Sequence, residues 1–371
     1  MAIETGQRYL RKKTEKISVS VLVGLVMLGS FSVVAGETVK VFILAGQSNM
    51  EGKAGNSLLE HQAIDPKTSV FYAPYRDGKK WIERNDVSVT FLNRHGPLTI
   101  GYGSPKKTGP ELAFGWVVGD HFEEPVLLIK AAWGGHSLYQ KFRSPSAGLP
   151  ASDVLEAELE KAKAKVAKDN TKRSSDKQME YPTLEDIKNG YGVSYRAMME
   201  EIDRVLGSLD SLFPSLKDKT PEIAGFFWFQ GFNDQFGDHA PGAYESNMKH
   251  FIEDVRKDLK TPDLPFVIGA IGTFGVGSED FRPKPDSGTE AVWKGQMAMN
   301  QVPEFKGNVK AFETAPLVDK AAAELFPTWK DNFEEWKKVG SDRPYHYLGS
   351  GIWYSRIGKA AGEAMVDLLA E

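Results

Sequence analysis

The sequence predicts an α/β fold: a five-stranded parallel sheet with helices on both faces. Three observations lead there. Residues 41–45 (Val-Phe-Ile-Leu-Ala), 125–132 and 223–229 are close to continuous apolar runs. Such runs read as strands buried on both sides, the kind found in parallel sheets. Between them lie segments with apolar residues at helical spacing, which gives βαβ units. Several of the runs stop at turns containing Gly, Ser or Asn, and in open α/β sheets ligands bind just past the carboxyl ends of the strands.

The elements follow in order. Residues 39–45 form the first strand, which runs into Gly46-Gln47-Ser48-Asn49-Met50. Residues 53–108 read as a long irregular insertion, with short strands at 79–82 and 87–92 as a small hairpin beside the sheet. Thr108 and Pro110 open a helix to about His121. Residues 125–132 are the second strand, ending in Trp133-Gly134-Gly135-His136-Ser137. Residues 152–190 are polar and read as a surface insertion led by a Glu/Lys helix. Tyr195, Met198, Ile202, Val205 and Leu209 mark a helix by their stripe. Residues 223–229 are the third strand, followed by Gln230-Gly231-Phe232-Asn233-Asp234. Tyr244, Met248, Phe251, Ile252, Val255 and Leu259 give the next helix. Strands at 264–271 and 308–314 flank a helix near 290–300, and the last helix covers about 354–370. No Gly-x-Gly-x-x-Gly follows a strand and no P-loop sequence occurs, so a nucleotide fold is not expected.

Of the 371 residues, 41% are hydrophobic and 26% charged, an ordinary globular balance. That length fits one large α/β domain with insertions, or two domains. A net charge of -4 gives no electrostatic case for a nucleic-acid partner. The chain has no cysteine, which removes disulfides, a thiolate nucleophile and Cys-based metal sites. At the N-terminus, Arg8, Arg11, Lys12, Lys13 and Lys16 precede an apolar stretch at 17–34, and Val33-Val34-Ala35 supplies small residues. This is the three-part pattern of a secretory signal, residues 1–35, with cleavage after Ala35; an uncleaved anchor is the alternative. The expectation is a secreted or periplasmic protein whose body, 36–371, has no other membrane association.

Acyl transfer needs a nucleophile, a base and donors for an oxyanion. Ser48 at the first strand end offers a hydroxyl and its backbone N–H. Gly134 and Gly135 at the second offer an N–H unobstructed by a Cβ, and the order of preference between them is open. Asn233 after the third offers a side-chain N–H. Of the seven histidines, His61 and His95 lie in the insertion, His121 precedes a strand, and His250 sits inside a helix. His136 and His239 follow strand ends. His346, in the loop Ser341-Asp342-Arg343-Pro344-Tyr345-His346 before the last helix, is preferred as base. His136 is the reserve. Asp342 is the candidate to orient His346. Glu51 reads as a solvated acid, and Gln47 and Gln230 as loop-positioning residues. Trp133, Trp228, Tyr345 and Tyr347 border the site, with packing as their commoner role.

Gly46-Gln47-Ser48-Asn49-Met50, the paired glycines, Trp228-Phe229-Gln230-Gly231-Phe232-Asn233-Asp234 and the late Asp/His loop together resemble the SGNH hydrolase superfamily. Within it the chain is similar to the sialate O-acetylesterase domain, also grouped as carbohydrate esterase family six, from about 39 to 368. The resemblance implies a three-layer α/β/α sandwich on a flavodoxin-like, mostly parallel five-stranded sheet. It implies Ser48 as nucleophile, His346 as base, and a glycine at 134 or 135 with Asn233 as oxyanion donors; with the Ser48 N–H added, the expected oxyanion hole is Ser48, Gly135 and Asn233. The implied activity is removal of O-acetyl groups from carbohydrate, sialate or polysaccharide, with no metal and no cofactor. The sequence departs at one point: the superfamily usually has Asp three residues before its His, where this chain has Arg343. Asp342 stands four before, so a triad with a longer loop and a Ser48–His346 dyad both stay open. The rival readings are a non-catalytic glycan-binding module and a lipase- or thioesterase-like hydrolase on the same scaffold.

Overall fold

The computed structural model describes residues 38–370, and these form one compact unit. The expected secretory signal lies outside the described residues. Among those described, no helix is long and apolar enough to cross a membrane.

The sheet has seven strands rather than five. They are β1 (Thr38–Gly46), β2 (Arg84–Phe91), β3 (Arg94–Leu98), β4 (Val126–Ala132), β5 (Thr220–Phe229), β6 (Phe266–Ala270) and β7 (Val309–Glu313), in the order β7-β6-β5-β1-β4-β2-β3. All neighbours pair in parallel except β2 and β3. The two additional strands are the hairpin of the 53–108 insertion. It does not stand beside the sheet: Val87 to Thr90 pair with Val126 to Ile129 and extend it. The residues at 79–82 form only a two-stranded ribbon, Arg76–Asp77 with Lys80–Trp81.

In β1, Val41, Phe42, Ile43 and Leu44 are all fully buried. Alternation along the strand sends Phe42 and Leu44 to one face and Val41, Ile43 and Ala45 to the other. Each of the larger four, Val41, Phe42, Ile43 and Leu44, stabilises the fold by about 1.5–3 kcal/mol relative to exposure. One face is covered by α1 (Glu111–His121) and, at the end of the chain, by the helix Gly351–Ala370, through Leu112, Phe114, Trp353, Ile357 and Met365. These two helices approach closely because of Gly358, where a Cβ would stand 2.2 Å from the Pro110 carbonyl oxygen. The helix Ser152–Asn170, α2, lies outside the core, with only Leu155 and Asn170 buried. The opposite face is covered by α3 (Val193–Gly207), α4 (Ala240–Asp258) and α5 (Gly288–Ala298), through Met198, Ile202, Tyr244, Phe251 and Val292. The last helix is α6. The result is a three-layer α/β/α sandwich.

β1 is central, with β4 on one side and β5 on the other, so the chain changes direction across the sheet there. Such a switch point opens a crevice past the strand ends. Ser48 lies in that crevice, directly after β1.

Candidate active site

Ser48 begins a single helical turn, Ser48–Glu51, and is 8% exposed. The first N–H groups of a helical turn have no internal acceptor, which leaves the Ser48 N–H directed outward. The turn packs tightly against β5 because position 46 is glycine; a Cβ there would meet the Phe229 carbonyl oxygen at 2.2 Å. Asn49 locks the turn to two distant segments: its Nδ2 donates to the Tyr345 carbonyl at 3.1 Å, and its Oδ1 accepts from the Tyr354 hydroxyl at 2.9 Å.

His346 Nε2 lies 3.0 Å from Ser48 Oγ. On the other side of the ring, Nδ1 is 3.1 Å from Oδ1 of Asp342. The Nδ1–H does not aim along that line, and Nδ1 has no aligned hydrogen-bond partner. The contact is therefore electrostatic, with the carboxylate facing the polar Nδ1 edge of the ring, more than a directed hydrogen bond. It still favours the tautomer with its proton on Nδ1, leaving Nε2 to accept from Ser48. Asp342 also accepts from Lys107 Nζ at 2.9 Å and from the Arg343 N–H at 2.8 Å. Arg343 itself stacks on Trp329 at 4.2 Å and makes no ion pair with Asp342. Burial works against the Asp342 charge, but His346, Lys107 and the Arg343 N–H outweigh it and hold the carboxyl well below the usual carboxylate range.

Asp342 reaches His346 across the four-residue spacing, and the backbone just past His346 is unusual. Tyr347, Leu348 and Gly349 all have positive φ, at 52°, 58° and 56°. Two successive non-glycine residues in the left-handed region cost on the order of 1–3 kcal/mol each and persist only where the surroundings enforce them. Here the buried Tyr347 hydroxyl accepts from the Gly272 N–H at 3.0 Å and meets Thr314 Oγ1 at 3.0 Å. Both Ser341 and Asp342 N–H groups reach the Leu348 carbonyl at 2.9 Å.

Asn233 is oriented by Gln47. Gln47 Nε2 donates to Asn233 Oδ1 at 3.0 Å, while Gln47 Oε1 accepts from the N–H groups of Gly231 and Asn233 at 3.2 and 3.3 Å. With its oxygen engaged, Asn233 has its amide N–H2 left to donate. The two glycines differ. The Gly134 N–H donates to Glu51 Oε1 at 2.6 Å. Gly135 has φ 79° and open space beside it, and its N–H has no acceptor among the described residues.

Glu51 is half-buried rather than a solvated surface acid. Besides Gly134 it accepts from Lys53 Nζ at 2.6 Å and Ser104 Oγ at 2.8 Å. Burial raises its pKa, but Lys53, Ser104 and the Gly134 N–H bring it below the ordinary value. Under the turn, fully buried Lys130 donates to Glu111 at 2.8 Å, to the Tyr102 carbonyl at 2.7 Å and to the Glu51 carbonyl at 3.1 Å. All three of its protons are used, as a buried ammonium requires.

His136 takes another course. Its Nδ1 is 2.7 Å from Ser194 Oγ, its ring lies parallel to Trp133, and no contact joins it to Ser48. Burial first, then Lys141, depresses its pKa. Its carbonyl is held by Gln230 Nε2 at 3.0 Å. Asp234 is no helix cap; it is fully buried and accepts from the Leu138 and Tyr139 N–H groups at 2.8 and 2.7 Å and from Gln230 at 2.6 Å. Burial pushes its pKa up to about 6 against those donors. Trp228 and Tyr347 are buried packing residues. The sequence assigned no role to Asn49, Ser104, Lys107 or Lys130, and to Glu51 only that of a solvated acid. Only a fold brings Lys107 to Asp342, and no local pattern marks it.

A three-layer sandwich with a serine and a histidine meeting past the end of its central strand is the class of fold that the SGNH resemblance implied. The sequence places the chain more narrowly. Residues 38–174 and 184–315 match the model of the carbohydrate esterase, sialic acid-specific acetylesterase family, and the chain belongs to that family. The matched stretch includes Ser48, both glycines and Asn233; Asp342 and His346 lie beyond it. No curated protein matches the chain. Among solved structures it is similar to a protein from Arabidopsis thaliana, at 16% identity, 89% of this chain, 98% of that one and a TM-score of 0.48. It is also similar to a carbohydrate acetylesterase from Xanthomonas citri, at 12% identity, 76% of this chain, 51% of that one and a TM-score of 0.39. For NanS the values are 13%, 76%, 79% and 0.38.

Proposed function

We propose that the protein is a serine esterase that removes O-acetyl groups from carbohydrate, sialate or polysaccharide, through an acetyl-serine intermediate. Family membership supports carbohydrate ester hydrolysis. The observation that carries the mechanism is the contact of His346 Nε2 with Ser48 Oγ at 3.0 Å, with Asp342 behind the ring. In this reading His346 takes the Ser48 proton as Oγ attacks the acetyl carbonyl. The developing oxyanion is held by the Ser48 N–H, the Gly135 N–H and the Asn233 amide. His346 then returns the proton to the departing sugar oxygen. Water, activated by the same imidazole, hydrolyses the acetyl-enzyme. Asp342 stabilises the imidazolium formed in both halves. The basic and apolar pattern of residues 1–35 supports action outside the cytoplasm, on secreted or periplasmic glycans.

The test is acetate release from 4-nitrophenyl acetate and a panel of acetylated glycans. Ser48→Ala is expected to abolish turnover while leaving the unfolding transition unchanged. Turnover retained by Ser48→Ala would sink the assignment, and glycan binding by the parent protein with no acetate released would make it a binding module.

A further inference from the structure

Beside His346 runs a row of aromatic side chains that the proposed chemistry does not use. The Tyr345 ring is 4.5 Å from the imidazole and 5.5 Å from Phe232, and Phe232 is 5.5 Å from Phe236. The three come from two separate loops, one carrying His346 and the other Asn233. Phe236 is 58% and Tyr345 42% exposed. Phe232 is half-buried, anchored against the core below α4 and α5. Large aromatics exposed side by side leave apolar surface in water with no internal compensation, and such patches mark contact surfaces.

The chemistry of the site says which part of a substrate meets this row. This step rests on the esterase reading above. The proton that His346 takes from Ser48 has to reach the ester oxygen that stays with the sugar. That oxygen must approach Nε2, so the sugar, not the acetyl group, lies on the His346 side. The row starts at that imidazole and leads away from it. We propose that Tyr345, Phe232 and Phe236 form a stacking shelf for pyranose rings of the leaving glycan, so that the enzyme acts on acetyl groups carried by oligosaccharide or polysaccharide chains in preference to free monosaccharides. Pyranose rings suit it because their axial C–H faces are apolar while their hydroxyl edges remain in water. The same geometry makes Phe236, farthest along the row, contact a ring beyond the one that bears the acetyl group.

Phe236 is the residue to change, since it is exposed and touches none of the reacting groups. Substrates are 4-nitrophenyl acetate, mono-O-acetylated xylose, and O-acetylated xylo- and gluco-oligosaccharides. The parent protein is expected to prefer at least one oligosaccharide series over the acetylated monosaccharide. Phe236→Ala should lower kcat/KM on that series about three- to tenfold, chiefly through KM, the size of one aromatic stacking contact. It should leave the aryl acetate and the monosaccharide within about twofold, and Phe236→Tyr should restore the oligosaccharide rate. Equal loss on every substrate, no loss on oligosaccharides, or no preference for them in the parent protein each overturns the shelf. A loss confined to aryl esters of longer acyl chains would make the row an acyl pocket instead. Failure of the esterase reading is distinct: it shows as no turnover of even the aryl acetate, and the shelf proposal falls with it.

Discussion

The loop after β4 and the loop before α6 flank Ser48 from two sides. Each carries a histidine and each depends on an aspartate, yet they are put together in opposite ways. Asp234 is fully buried and turned to backbone N–H groups, so it secures the shape of the 133–142 loop. That loop's histidine is bound to Ser194. Asp342 is partly exposed and set between a lysine and an imidazole, and its loop's histidine faces Ser48. One aspartate fixes backbone; the other supplies a charge to a ring. A histidine close to a nucleophile in sequence order or at a strand end is therefore weak evidence of a base. What separates the two is where the far nitrogen points.

The largest effect should come from exchanging the histidines. His346→Ala is expected to cost about 10²- to 10⁴-fold in kcat on 4-nitrophenyl acetate, the usual worth of a general base, while His136→Ala stays within about threefold. Comparable losses from the two variants would erase the distinction. Next is Asp342→Asn. Because Nδ1 and Oδ1 are close but misaligned, a loss of about 10- to 100-fold is expected, the worth of one charged hydrogen bond; an unchanged rate would establish a Ser48–His346 dyad.

Asp342 and Asp234 should also differ in how they respond to acid. The folded pKa of Asp342 is below its unfolded value. Its contribution to stability is complete above the unfolded pKa and is lost as pH falls further. The Tm gap between the parent protein and Asp342→Asn should accordingly narrow below about pH 4. Asp234 has the reverse sign: its folded pKa is about 6 against an ordinary 3.8. The native state holds that proton more tightly than the unfolded one, so this residue's contribution declines as pH rises from the lower value to the higher. The smallest effect follows: a carboxyl NMR resonance of Asp234 should titrate near 6, and a midpoint at the ordinary value would remove the contrast.

Much of this arrangement was legible in the sequence, for a physical reason. β1, β4 and β5 are covered on both faces, so nearly every residue had to be apolar, and the run announces the strand. The turns that follow them had to carry the polar groups. β2 was harder. Val87, Val89 and Phe91 alternate with Ser88 and Thr90, the signature of a strand with one polar face, and it read as a separate hairpin. In the folded chain Ser88 and Thr90 are buried against β4. Within β4, Lys130 gave no sign that its charge is used internally, because its partners Glu111, Tyr102 and Glu51 belong to three other segments. Glu51 was misread for the same reason: its acceptor role toward Gly134 exists only after β1 and β4 have paired. The departure at Arg343 was visible, but not that Asp342 still reaches His346 across four residues, and the left-handed φ at Tyr347 and Leu348 just beyond it carries no residue signature.

Ser48 and His346 are 298 residues apart along the chain. A chain that emerges from its N-terminus presents the serine 298 residues before the imidazole. Until α6 docks on α1, the Ser48 hydroxyl lacks its contact with His346 and, on the proposed mechanism, is as inert as any surface serine. Closing so long a loop is among the slower and more entropically costly events of folding. On the proposed mechanism, activity therefore waits until the whole sandwich is assembled, and a chain cut short before His346 would carry Ser48 without its base.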